Sequence, residues 1–102
     1  MTMYRHVIEI QKETPKDILA TLIAIADNAF DNRVGKVRNV SDLPYKLVYE
    51  GGENEFGCLD LGMLALEKDK MFLNHVISWQ WIDEEEPDES CDILEVFSRP
   101  VR

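Results

Sequence analysis

An amphipathic pattern over residues 15–30 constrains the fold of this chain more than any other segment. Thr14, Pro15 and Asp17 are typical of a helix start, because threonine caps helices, proline suits the first helical position and an acidic residue can bond back to the cap. The pattern predicts a helix of about four turns, packed against a sheet. The apolar residues at helical spacing are Ile18, Leu19, Leu22, Ile23, Ile25, Ala26, Ala29 and Phe30.

Two segments on either side of the chain's middle alternate as β-strands do. Residues 4–10 and 75–82 are rich in β-branched and aromatic side chains, which favour strands. Side chains two apart on a strand share a face. The sequence therefore predicts one face carrying His6, Ile8 and Ile10, and another carrying Ile77, Trp79 and Trp81.

The middle of the chain is less regular. Residues 45–50 and 55–61 look like two strands, and the Gly-rich connection 51–54 predicts a hairpin between them. Residues 61–70 favour a short helix by propensity, although a second hairpin is also compatible with them. Residues 31–44 read mostly as loop, with Val34, Val37 and Val40 expected to hold it against the core.

The C-terminal segment is expected to contain a short helix rather than a last strand. Pro87 suits a helix start, and Ile93, Leu94 and Phe97 follow at helical spacing. Together the elements predict a single α+β domain over residues 1–102. Its sheet would be mostly antiparallel, with about four strands and the long helix (about 15–30) on one face.

Charge is unevenly distributed along the chain. The net charge is −9, and residues 50–95 hold fourteen acidic and two basic residues, a local balance of −12. Eight of the thirteen residues 83–95 are carboxylates. Such a surface repels phosphate backbones, which argues against direct binding of nucleic acid. It attracts basic proteins, including those that bind nucleic acid.

The acidic segment therefore predicts a surface for a basic protein partner, although solvated charge runs often serve only solubility. Tryptophan is enriched among residues that dominate binding energy, but the polar Ser78 and Gln80 on the opposite face of the strand favour a core position for Trp79 and Trp81. The candidate partner-binding residues are Asp83, Glu84, Glu85, Glu86, Asp88 and Glu89, with Trp81 or Tyr49 as the aromatic anchor.

Catalytic and metal-binding patterns are not found. His6, His75, Cys58 and Cys91 are the only histidines and cysteines, and their spacing matches no local zinc site. The glycines at 51, 52 and 57 lack the lysine of a phosphate loop. We therefore expect no enzyme activity, no metal and no cofactor. We expect a cytoplasmic protein with reduced thiols and no membrane span, since no apolar run approaches the length of one.

Two functional hypotheses follow from these observations. The first is a small acidic cytoplasmic protein that neutralises or regulates a basic partner, such as an immunity protein for a nuclease toxin or an inhibitor that mimics nucleic acid. The second is an accessory or structural α+β domain that acts through self-association or complex assembly. In the second case an unpaired edge of the hairpin would provide the interface.

Overall fold

The structure is a computed structural model that describes residues 2–98; Met1 and residues 99–102 of the predicted domain lie outside them. The strands are β1 (Tyr4–Ile10), β2 (Asp31–Asn32), β3 (Gly35–Lys36), β4 (Lys46–Gly51), β5 (Val76–Asp83) and β6 (Cys91–Asp92). Four of them form an antiparallel sheet in the order β4-β1-β5-β6, so the first strand lies in its middle. The helices are α1 (Lys16–Phe30), α2 (Phe56–Glu67), α3 (Lys70–His75) and α4 (Ile93–Ser98). The α+β prediction is confirmed.

One face of the sheet carries the core. His6, Ile8 and Ile10 share this face as predicted; all three are buried, and the buried residues of α1 pack with them. The predicted helix over 15–30 is confirmed as α1, and its buried side chains are Leu19, Leu22, Ala26 and Phe30. The opposite face of β1 carries Arg5, Val7 and Glu9, all half-buried.

The predicted hairpin of 45–50 with 55–61 is wrong in its second half. Residues 53–55 form a short 3-10 helix, and α2 begins at Phe56. Leu59, Gly62 and Leu66 are buried at helical spacing, while Leu61 and Leu64 remain exposed. Because apolar residues occur all round this helix, its sequence also contains an alternation that imitates a strand.

The helix predicted within 61–70 is therefore the second half of α2, and a further helix follows it. Asp69 caps α3, since its side chain accepts a 2.9 Å hydrogen bond from the Phe72 amide. The cap predicted at Thr14 is wrong, because Pro15 holds the N-cap position of α1. Thr14 is buried, and its hydroxyl has no hydrogen-bond partner within residues 2–98.

The segment 31–44 contains more structure than a loop. It begins with the hairpin of β2 and β3, and Asn39 then lies opposite Tyr49 at the outer edge of β4. The Asn39 side chain accepts a 2.9 Å hydrogen bond from the Val48 amide. Of the three valines expected to contact the core, Val37 does so, whereas Val34 and Val40 are exposed.

Strand β5 shows why the predicted alternation failed at one position. The pairing of β1 with β5 shifts register between Glu9 and Ile10, so Val76 is buried and Ile77 is 54 % exposed. Trp79 lies wholly in the core and Trp81 is half-buried beside it. The short C-terminal helix is confirmed as α4, whose Phe97 contacts Trp79 edge-on at 5.3 Å. Within the part of the chain described, no helix has both the length and the apolar character needed to cross a bilayer.

Candidate partner-binding surface

A row of paired residues crosses three strands at one end of the sheet. His6 of β1 lies opposite Trp81 of β5, and Trp81 lies opposite Cys91 of β6. His6 is fully buried, while Trp81 and Cys91 are half-buried. This row therefore passes from the core to the surface.

The rings of Tyr4 and Phe56 pack against Trp81, and we call these three residues the aromatic cluster. Tyr4 stacks on Trp81 at 5.5 Å, and Phe56 contacts both rings edge-on at 5.1 and 5.8 Å. Phe56 is 46 % exposed. Sequence reasoning identified only Trp81 of these three. The alternation of β1 places Tyr4 on the side of His6, but Phe56 was assigned to a strand.

Helices α2 and α4 line a small, partly open apolar pocket beside this cluster. Its volume is about 220 Å³, and we call it the apolar pocket. Phe56, Asp60 and Met63 follow one another at helical spacing on α2 and form one wall. The remaining lining residues are His6, Trp81, Cys91, Ile93 and Val96.

The acidic loop, residues 84–89, adjoins the aromatic cluster because it continues directly from β5. All six of its residues are exposed, and Pro87–Glu89 form a 3-10 turn. Glu84 is partly engaged within the chain, since its carboxylate lies 3.4 Å from the Arg5 guanidinium. Arg5 also pairs with Glu50 at 3.0 Å.

Asp83 does not belong to the exposed surface, which corrects its assignment as a partner-binding residue. It is buried, and its Oδ1 accepts 3.1 Å hydrogen bonds from the amides of Glu85 and Glu86. Its own amide donates to the Ser90 hydroxyl at 3.2 Å. Aspartate favours such turns because its short side chain bonds the backbone two residues ahead. Asp83 therefore orders the loop that presents the other carboxylates.

We expect Asp83→Ala to loosen the acidic loop, because two loop amides lose their acceptor. The free energy of unfolding should fall by about 1–2 kcal/mol. Amide hydrogen exchange at Glu85 and Glu86 should accelerate. Asp83→Asn keeps an acceptor oxygen and is the matched control, with exchange close to that of the unchanged protein. Equal acceleration in both variants would show that the turn does not depend on this acceptor.

Tyr49 is not an exposed anchor, which corrects the second aromatic assignment. It has no exposed surface, because its position in β4 faces α1 rather than solvent. Its ring stacks on Phe30 at 4.2 Å and its hydroxyl donates a 2.5 Å hydrogen bond to Asp27. Burial, and then the hydrogen bond and charge of Asp27, raise the pKa of Tyr49. Trp81 alone remains of the two predicted anchors.

The buried His6 is held as one neutral tautomer. The Trp79 indole can only donate, so it gives its 3.0 Å hydrogen bond to His6 Nδ1. The Leu59 carbonyl can only accept, so Nε2 carries the proton and donates across 3.2 Å. Burial lowers the pKa of His6 to about 4, opposed in part by the bond to Leu59. The ring beneath Trp81 is therefore uncharged at neutral pH.

Carboxylates lie close enough to the aromatic cluster to shift the pKa of its tyrosine. Burial, followed by the charges of Asp83 and Glu53, raises the pKa of the Tyr4 phenol, and Glu85 adds to this effect. A hydrogen-bonding interaction with the Thr2 side chain has the opposite effect and lowers this pKa. The cluster thus lies in a negative potential, which favours a cation near it.

The two cysteines are free thiols and Cys58 is buried, where its Sγ contacts the Phe30 carbonyl at 3.0 Å. Within residues 2–98, no group of three or more His, Cys, Asp or Glu side chains could hold a metal ion. Comparisons with protein-family models, with curated proteins and with solved structures found no match to this chain.

Proposed function

We propose that this protein is a small acidic binding protein that neutralises or regulates a basic protein partner. An immunity protein for a nuclease toxin, or an inhibitor that mimics nucleic acid, is the concrete form of this proposal. One observation carries it: a half-exposed aromatic cluster lies directly beside an ordered acidic loop. Tyr4 of the cluster is the cross-strand partner of Asp83, which orders that loop.

The two parts of this surface have different physical roles. Aromatic side chains at the centre of an interface contribute most of the binding energy once water is excluded from them. Carboxylates at the rim mainly accelerate association with a basic partner and select against acidic ones. In this chain the rim consists of Glu85, Glu86, Asp88 and Glu89, all exposed. Their arrangement matches an inhibitor that occupies a basic cleft.

The proposal is tested by reversing the charge of Glu86, Asp88 and Glu89 to lysine. The partner is first captured from the host lysate at low salt and identified by mass spectrometry. We expect the triple reversal to slow association with this partner by about tenfold or more. Binding by the unchanged protein should weaken as salt increases. The physical reason is that these three carboxylates supply the attraction at long range.

The matched control reverses Glu13, Asp42 and Glu67, which are exposed and distant in sequence from the loop. It changes the net charge by the same amount. If the acidic loop is a specific surface, this control should associate with the partner almost as fast as the unchanged protein. If both triple variants bind alike, the loop has no specific role. If the unchanged protein retains no basic partner at low salt, the proposed function is wrong.

Self-association remains the second candidate, and the open sheet face is the observation that favours it. Val7, Val48 and Ile82 are half-buried on the face opposite the helices. The hairpin edge expected from the sequence does not exist, since residues 56–67 are helical. Sedimentation equilibrium of the unchanged protein and of Val7→Lys separates the two candidates. A dimer that dissociates in Val7→Lys supports this second candidate.

A further inference from the structure

We propose that the apolar pocket receives a single arginine side chain of the partner, with Asp60 pairing with its guanidinium. This inference rests on the proposed function and names the chemistry by which the same surface would recognise its partner. Neither Asp60 nor the pocket is evident from the sequence, because residues 55–61 resemble a strand.

The construction of the pocket is fixed by secondary structure rather than by loops. Its floor is the cross-strand row His6–Trp81–Cys91. Its walls are side chains at helical spacing on α2 and α4, so the cavity is largely formed in the free protein. A preformed cavity costs little conformational entropy on binding.

The size of the pocket limits what can occupy it. Sites for small molecules and cofactors usually enclose about 300–1,000 Å³. At about 220 Å³ the apolar pocket falls below that range. A single long side chain, inserted from a partner, is an occupant of suitable size.

Charge selects among such side chains. Asp60 is exposed at the pocket, and no basic side chain within residues 2–98 lies within ion-pairing distance of it. His6 beneath the pocket is uncharged, so it does not offset Asp60. The acidic loop, which follows Trp81 by only three residues, adds to the negative potential. A cationic head with an apolar stem complements this arrangement.

Arginine fits the arrangement better than lysine. Its guanidinium is planar and weakly hydrated, packs against aromatic rings and pairs with a carboxylate through two hydrogen bonds. Its three methylene groups would contact Met63, Ile93 and Val96. Phe56 is available for contact with the guanidinium, since 46 % of it is exposed.

The direct test titrates the full chain with N-acetyl-arginine amide and follows it by NMR. We expect saturable shifts of the Trp81 indole N–H and the Met63 methyl group, with roughly millimolar affinity for so small a probe. N-acetyl-citrulline amide has nearly the same shape without charge and should produce no saturable shift. N-acetyl-lysine amide should bind at least threefold more weakly. Equal binding of the citrulline probe, or no shift with the arginine probe up to its solubility limit, would overturn the inference.

Variants locate the site. Asp60→Asn should weaken the arginine probe about tenfold, as expected for loss of one charge-assisted pair. Glu67→Gln, on the same helix but outside the pocket lining, removes the same charge and should leave the affinity unchanged. An equal loss in both variants would mean that the probe responds to net charge alone.

The inference and the proposed function fail differently. If the partner's binding is lost in the acidic-loop reversal but unchanged in Asp60→Asn, the pocket plays no part and the proposed function stands. If no basic partner is retained but the arginine probe binds with the Asp60 dependence described, the site is real and its ligand is a free guanidinium compound or a peptide. In that case the proposed function is wrong.

Discussion

Between pH 6.5 and pH 4 the free energy of unfolding should fall by about 3 kcal/mol because of one side chain, His6. Burial lowers the pKa of this histidine from 6.5 to about 4. Within that interval the unfolded chain binds a proton that the native protein does not, so acid favours unfolding. Above pH 6.5 this loss of stability is absent, and at about pH 4 it is nearly complete.

The physical cause lies in the two hydrogen bonds of the ring. A proton added at Nδ1 would face the Trp79 indole N–H, which is itself a donor. Burial also excludes the water that would otherwise solvate the imidazolium. Urea unfolding at several pH values measures the effect.

The variant that isolates the effect is His6→Gln, whose amide keeps one donor and one acceptor and does not titrate. We expect it to be less stable at pH 7 by about 1–3 kcal/mol and to lose the histidine contribution to the pH dependence. His75→Gln removes the other histidine and leaves the His6 hydrogen bonds in place, so it should keep the steep loss on acidification. If His6→Gln and the unchanged protein lose stability in parallel, His6 is not the cause.

The second large effect is expected at Gly62 of α2, which packs against the Phe30 ring at the end of α1. A Cβ at this position would overlap three ring atoms of Phe30. That ring cannot retreat easily, because it stacks on Tyr49 at 4.2 Å and lies 5.5 Å from His6. Alanine raises helix propensity by about 1 kcal/mol, but overpacking of a core costs about 1–3 kcal/mol or more. We expect Gly62→Ala to lower the free energy of unfolding by about 2 kcal/mol.

Gly57 provides the control within the same helix. A Cβ there would meet only the Val34 side chain, at 3.2 Å, and Val34 is exposed and can move. Gly57→Ala should therefore be neutral or slightly stabilising. The double variant Gly62→Ala with Phe30→Leu should be more stable than the sum of the single effects predicts, because the smaller side chain relieves the overlap. Additive losses would show that the contact with Phe30 is not responsible.

The parts of the fold that were predictable have strong periodic patterns. The long helix over 15–30 and the strand around His6 repeat or alternate as their final structures do, and the strand around Trp79 departs from its alternation only at its start, where Ile77 is exposed. Only the first half of α2, residues 56–61, differs from the prediction, because this helix is apolar on several sides and part of its exposed apolar surface lines the pocket. An alternating segment of seven residues does not by itself distinguish a strand from such a helix.

The candidate surface was predictable in charge but not in its aromatic residues. The acidic loop is visible in the sequence, and Trp81 precedes it. The sequence offers Tyr49 as an alternative aromatic anchor, yet β4 directs its side chain towards α1. Asp83 resembled its acidic neighbours, but its side chain bonds the backbone of the loop. Pairing of the distant strands β1 and β5, together with the packing of α2, brings Tyr4, Phe56 and Trp81 together.

The central position of β1 has a consequence for how this protein folds. Its two neighbours, β4 and β5, follow it only after long stretches of chain, and the bond between His6 and Trp79 joins residues 73 apart. Pairing between strands far apart in sequence requires long loops to close, and the entropy lost in closing them is offset only when the contacts form. Folding is therefore slow compared with that of a helical bundle of this length. Aromatic and acidic parts of the surface should therefore form together, late and cooperatively. A partially folded chain would then lack the surface that is proposed to bind a partner.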